Sequence, residues 1–151
     1  MGTISTRQGC SGSIIRYHSA MPKEGNKMIN HSKQEGLKIE LFVKDYLEQQ
    51  GLTLVTSNFH SRFGEIDLIM KDKEDLVFVE VRYRSNALFG SAAESVNYSK
   101  QQKIIKTAQF YLLNEKKYQQ LNCRFDVVSV TLHHQELQAT WYQHAFLTQE
   151  H

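Results

Sequence analysis

Cysteine is scarce in this 151-residue chain: Cys10 and Cys123 lie far apart and show none of the paired spacings of a zinc site or a disulfide framework. That scarcity points to a reducing cytoplasm. Also lacking is any run of about 18 apolar residues, so no membrane span is expected, and the N-terminus has no apolar stretch long enough for a secretory signal. Proline occurs once, as Pro22, within a stretch 1–34 that is rich in Ser, Gly, Lys and Asn and has no sustained apolar period. The stretch reads as a flexible basic N-terminal extension. Residues 35–151 remain as one domain, because 40% hydrophobic content over this length can bury one core and not two. A large charge of one sign is absent too: the formal total is only +2, which excludes a histone-like polycation.

The distribution of charge says more than its sum. Residues 1–34 hold five Lys or Arg against one Glu, whereas 35–151 hold thirteen against fifteen Asp or Glu. Within the domain, the stretch 76–125 gathers eight basic residues, among them Arg82, Arg84, Lys100 and Lys103, against three acidic ones. A basic region beside an acidic cluster suits a polyanion held near a metal.

Apolar period sets the elements. Ile39, Phe42, Val43, Tyr46 and Leu47 form one helical stripe within 35–50, and Gly51 stops that helix. Glu40 lies at the edge of the stripe, so its carboxylate is expected where the helix meets the body of the domain. Three strand-like runs follow, over 52–58, 62–70 and 76–84. A second helix is expected from about Ser99, which has capping-box spacing to Gln102, to Asn114, and a fourth strand over 124–132, with 136–142 as a short fifth. The predicted fold is α/β, with element order α-β-β-β-α-β around a mixed central sheet, the third and fourth strands being parallel.

The polar run Lys71-Asp72-Lys73-Glu74-Asp75 turns the second strand into the third as an antiparallel hairpin. With a loop over 72–75, Lys71 faces Leu76, Ile69 faces Phe78, Asp67 faces Glu80 and Glu65 faces Arg82. Directly opposed carboxylates at about 5 Å repel by roughly 3 kcal/mol at an effective dielectric near 20. Something must compensate: a proton on one of them, a neighbouring cation such as Arg82, or a divalent metal between them.

Taken together, Gly64-Glu65-Ile66-Asp67-Leu68-Ile69, Phe78-Val79-Glu80-Val81-Arg82, the upstream Glu40, Phe89-Gly90, Lys100-Gln101 and Arg124-Phe125-Asp126-Val127-Val128 resemble the YraN family of bacterial proteins. That family is similar to archaeal Holliday-junction resolvases and, by resemblance, to the PD-(D/E)xK nucleases. The likeness covers roughly 35–146 and implies a restriction-endonuclease-like three-layer core. It also implies a magnesium-dependent endonuclease acting on DNA, with branched or damaged structures as candidate substrates and manganese able to replace magnesium. Asp67, Glu80 and the backbone carbonyl of Val81 would bind the ion, and Glu40 would complete the acidic set. Arg82 would share in catalysis. Lys100, Arg84 and Lys103 would contact nucleic acid, and Glu65 and Gly64 would support the site.

One departure from the superfamily pattern matters. Lysine is usual where this chain has Arg82, and arginine stays protonated, so it can stabilise charge but cannot act as a general base. The alternative reading is therefore a catalytically weak or inactive nucleic-acid-binding module, or an adaptor in DNA repair or recombination. A homodimer stays open. On the bland reading, Asp67, Glu80 and Arg82 form a salt-bridged patch on the sheet, and Lys103 lies on a solvated helix face.

Overall fold

The computed structural model describes residues 14–17, 31–84 and 96–148. Along the chain these form β1 (Ile14–Tyr17), α1 (His31–Gln49), β2 (Thr53–Ser61), β3 (Gly64–Asp72), β4 (Asp75–Arg84), α2 (Tyr98–Asn114), a 3-10 turn (Lys116–Tyr118), β5 (Asn122–His133) and β6 (Glu136–Phe146). The strands build one six-stranded sheet in the order β1-β6-β5-β4-β3-β2. β4 and β5 run parallel from Asp75↔Asn122 to Arg84↔Thr131, and the remaining neighbours are antiparallel.

This is the mixed α/β core expected from the sequence, with α1 on one face of the sheet and α2 on the other. The expected stripe of α1 is buried: Ile39, Phe42, Val43, Tyr46 and Leu47 pack on Leu68, Met70, Val77, Val79, Val128, Val130 and Trp141. Gly51, at φ 98°, takes the left-handed conformation that ends the helix, and the Leu52 N–H reaches back to the Leu47 carbonyl at 3.1 Å. On the other face Ile104, Ile105, Ala108 and Tyr111 of α2 cover Ile66, Ile69, Leu76, Phe78, Phe125, Val127 and Phe146.

Several boundaries depart from the sequence reading. Ile14–Tyr17, inside the stretch read as an extension, pair with β6 as an edge strand, and α1 begins at His31 rather than near residue 35. α2 begins at Tyr98, with Asn97 as its cap in place of Ser99. Asn97 is extended (φ −66°, ψ 162°), and its side chain accepts the Lys100 N–H at 2.9 Å, which is what an N-cap must do. Phe89 and Gly90 lie outside the described residues.

Gly64 opens β3 at φ 152°, directly beneath α2. A Cβ there would stand 3.4 Å from Thr107 Oγ1 and 3.5 Å from Lys103 Cβ. Gly64→Ala is expected to destabilise the fold by about 1–2 kcal/mol, because alanine must be forced into this conformation and against the helix. Urea denaturation would measure the loss, and an unchanged midpoint would show that the hairpin end relaxes freely.

Candidate functional site

The β3–β4 hairpin sets the stage. Lys73 and Glu74 alone connect the strands, Asp72 pairing with Asp75, so the turn is tighter than the four-residue loop inferred from the polar run. The register is nonetheless the expected one: Lys71↔Leu76 and Ile69↔Phe78, continuing to Leu68↔Val79. One step further, the same register brings Asp67 level with Glu80.

At that step the strand stops alternating. Residues two apart on a regular strand share a face, yet Ile66 packs on the α2 side and Leu68 on the α1 side. The chain therefore rotates at Asp67. Its neighbour in β2 by register is Asn58, whose φ of 51° marks the same irregularity. The rotation turns Asp67 into a cleft on the α1 side that it shares with Glu40, Val81 and Tyr83. Glu80 stays in line with Leu76 and Phe78 on the α2 face, where Lys100 meets it.

The electrostatics of the pair follow from its burial. Asp67 Oδ2 accepts the Val81 N–H at 2.8 Å. Even so, burial, followed by the charges of Glu80 and Glu40, pushes the Asp67 carboxyl up to about 7. Glu80 is only 5% exposed. Burial raises its carboxyl as well, opposed by Lys100, by Arg82 and by a hydrogen bond with Asp67. Arg82 Nε lies 3.4 Å and Lys100 Nζ 3.5 Å from Glu80 Oε1. Oε2, on the other hand, is cut off from solvent with no donor among the described residues. Of the three compensations considered from the sequence, cations serve one oxygen only.

The remaining sequence candidates fall as follows. Glu40 does face the pair, its Oε2 held by Asn58 Nδ2 at 2.8 Å. Val81 enters through its N–H, as the donor to Asp67. Glu65, placed opposite Arg82 by the sequence register, has its Oε2 3.5 Å from His60 Nδ1 across the β2–β3 hairpin. Lys103 joins Lys100, His60, Ser61, Gly64 and Glu65 around a second cleft on the α2 side. Arg84 ends β4 opposite Thr131, two residues beyond Arg82. Among the described residues, no three or more His, Cys, Asp or Glu side chains converge as a ready-made metal cluster.

The profile of the "Uncharacterised protein family UPF0102" matches residues 39–130, a span that contains Glu40, Asp67, Glu80, Arg82 and Lys100. The chain belongs to the UPF0102 family. A UPF0102 protein of Saccharophagus degradans is 46% identical over 123 residues, covering 82% of this chain and 100% of the relative. One of Psychromonas ingrahamii is 43% identical over 122 residues, covering 80% and 95%. One of Vibrio cholerae is 45% identical over 116 residues, covering 76% and 93%. UPF0102 is the family that the residue pattern resembles under the name YraN.

Two parts of this UPF0102 site escaped sequence reasoning. Asn58 orients Glu40 from 18 residues away, and nothing in a strand pattern singles out an asparagine as a partner for a helix carboxylate. Tyr83 borders the Asp67 cleft. Its position two residues after Val81 was a usable signal only once the face carrying Asp67 was known.

Proposed function

We propose that this chain is a magnesium-dependent endonuclease that hydrolyses DNA phosphodiester bonds, with branched or damaged DNA as its substrate class, and that it stands among the PD-(D/E)xK nucleases. The observation that carries the reading is the Asp67–Glu80 pair: two adjacent carboxyls, largely shut off from water, with no donor to one Glu80 oxygen among the described residues. A stabilising surface patch has no need of such an arrangement, since burying like charges side by side costs stability. Magnesium keeps several waters and takes one or two carboxylates, so these donors fit it without a cluster of three. Asp67 and Glu80 would hold the ion, with Glu40 and the Val81 carbonyl as further ligands.

The ion would supply polarisation of the phosphodiester and neutralisation of the charge that develops on its oxygens. The protein's own side chains do the rest. Arg82 places its guanidinium beside Glu80 as a fixed positive charge. Lys100, at the first turn of α2, holds a phosphate oxygen together with the helix N-terminus. The cleft beyond it, lined by Lys103 and His60, carries the neighbouring backbone.

The test is incubation of the purified protein with a panel of branched, single-stranded and duplex DNAs in magnesium. Cleavage is expected, falling about 10²-fold or more in Glu80→Gln. No cleavage of any substrate, in magnesium or manganese, would sink the enzymatic reading. Arg82 in the lysine position favours one second reading, a nucleic-acid-binding module that does not cut. It predicts DNA binding that weakens steeply with salt, with no magnesium uptake in calorimetry.

A further inference from the structure

The carboxyl pair lies between two clefts of opposite character. On the α2 side a cleft of about 370 Å³ is lined by His60, Lys100 and Lys103 together with Glu65. On the α1 side a cleft of about 320 Å³ is bounded by Glu35, Gly36, Ile39, Glu40, Asp67 and Tyr83, with no cationic side chain among the described residues around it. Away from the phosphate that the ion would hold, the Glu35 and Glu40 carboxyls repel phosphate. The flanking backbone of a bound strand therefore belongs in the lysine cleft, and the outer part of the α1 cleft, by Glu35 and Tyr83, suits a neutral, flat group that donates hydrogen bonds.

Tyr83 supplies the flat surface. It is 36% exposed and follows Val81 on the same face of β4. Gly36 leaves the mouth open: it sits within α1, where glycine weakens a helix, and a Cβ there would meet nothing within 4 Å. The cleft's volume is at the small end of the range for sites that take small organic groups.

Resting on the nuclease reading above, we propose that Tyr83 stacks one unpaired nucleobase beside the bond to be cut, with Glu35 accepting from that base's exocyclic amino group. A base inside a duplex is stacked and cannot reach a side cleft, so the substrate must offer an unpaired nucleotide, as single strands, flaps and junctions do. Cytosine, adenine and guanine carry an exocyclic amino group and thymine does not, so thymine is disfavoured at this position.

The test uses the full chain in metal-free buffer and single-stranded oligonucleotides carrying one 2-aminopurine, read by fluorescence and anisotropy. Binding is expected to quench the 2-aminopurine at one position. Tyr83→Ala is expected to remove the quench and to weaken single-strand binding roughly tenfold while leaving duplex affinity unchanged. Tyr83→Phe should keep both, and Gly36→Leu, which suits a helix but fills the mouth, should act like Tyr83→Ala. Glu35→Ala, which removes the acceptor, should erase a preference for oligo-dC over oligo-dT. Wild-type single-strand affinity in Tyr83→Ala, or equal affinity for oligo-dC and oligo-dT in the wild type, overturns the proposal. DNA that is bound without the quench, and cut once magnesium is added, overturns the Tyr83 assignment alone. A chain that binds no DNA overturns the assignment and the nuclease reading together.

Discussion

Asp67→Asn is expected to make the metal-free protein more stable at pH 8 while removing magnesium-dependent cleavage. Asp67 ionises near its ordinary 3.8 in the unfolded chain but at about 7 in the folded protein. Between those values the folded protein keeps a proton that the unfolded chain has lost, so stability falls as pH rises through the window, by up to about 1.4 kcal/mol per pH unit. Below about 3.8 this cost vanishes. Above about 7 it is complete, and a shift of this size corresponds to about 4 kcal/mol, an order-of-magnitude figure since Glu80 shares the burden. Asparagine carries no charge to bury, yet its carbonyl can still accept the Val81 N–H. A gain of about 2–4 kcal/mol is therefore expected at pH 8 and almost none near pH 4.

Urea denaturation in EDTA at the two pH values measures this difference, and an Asp67→Asn protein no more stable than the wild type at pH 8 would contradict it. Magnesium should reverse the ranking, because an ion that binds only the folded wild type stabilises it by mass action. Its uptake must displace the Asp67 proton, so affinity should rise with pH through about 7. Cleavage should fall by at least about 10²-fold in the variant, the usual cost of removing one charge-stabilising group.

Arg124→Met is expected to be the most damaging single change outside the site, costing about 3–5 kcal/mol. Arg124 and Asp126 are 5% and 0% exposed on β5. Arg124 Nε donates to both Asp126 oxygens at 3.0 and 3.1 Å, while its other two nitrogens reach Asp75 Oδ2 at 3.2 Å and Asp72 Oδ2 at 3.0 Å. Asp126 also accepts from Trp141 Nε1 at 2.9 Å and from the His144 N–H at 3.0 Å. One guanidinium thus ties the β3–β4 turn to β5, and Asp126 ties β5 to β6. Burial works against the Arg124 charge, and Asp126 and Asp72 more than offset it.

Removing the arginine strands Asp126 as a buried anion. Adding Asp126→Asn should recover part of the loss, because asparagine still accepts from Trp141 and His144 and carries no charge. Equal stability of the single and double variants in urea would refute this account.

How much of this was legible beforehand can be argued residue by residue. The buried stripe of α1, its stop at Gly51 and the hairpin register from Lys71↔Leu76 onward all follow from local rules: helical period, a left-handed cap, and the constant pairing sum of an antiparallel turn. The convergence of Asp67 and Glu80 was legible for the same reason, being two strands of one hairpin. The α2 cap was misplaced by two residues because Ser99 has a capping-box partner on paper, whereas Asn97 has the extended backbone and the hydrogen bond. The reversal of faces at Asp67 was invisible, since strand alternation assumes an unbroken strand, and so was the pairing of Glu65 with His60 in place of Arg82.

Element order from α1 onward, the acidic hairpin pair and family membership were thus properties of the amino-acid string, because short-range periodicity and turn chemistry act between residues close along the chain. Which oxygens lie buried, which cations reach Glu80 from α2, how Asn58 holds Glu40 and how one arginine locks the turn to β5 were decided by packing. Those contacts join residues tens of positions apart, and they exist only after the parallel β4–β5 pairing and the two helix faces have been closed around the sheet.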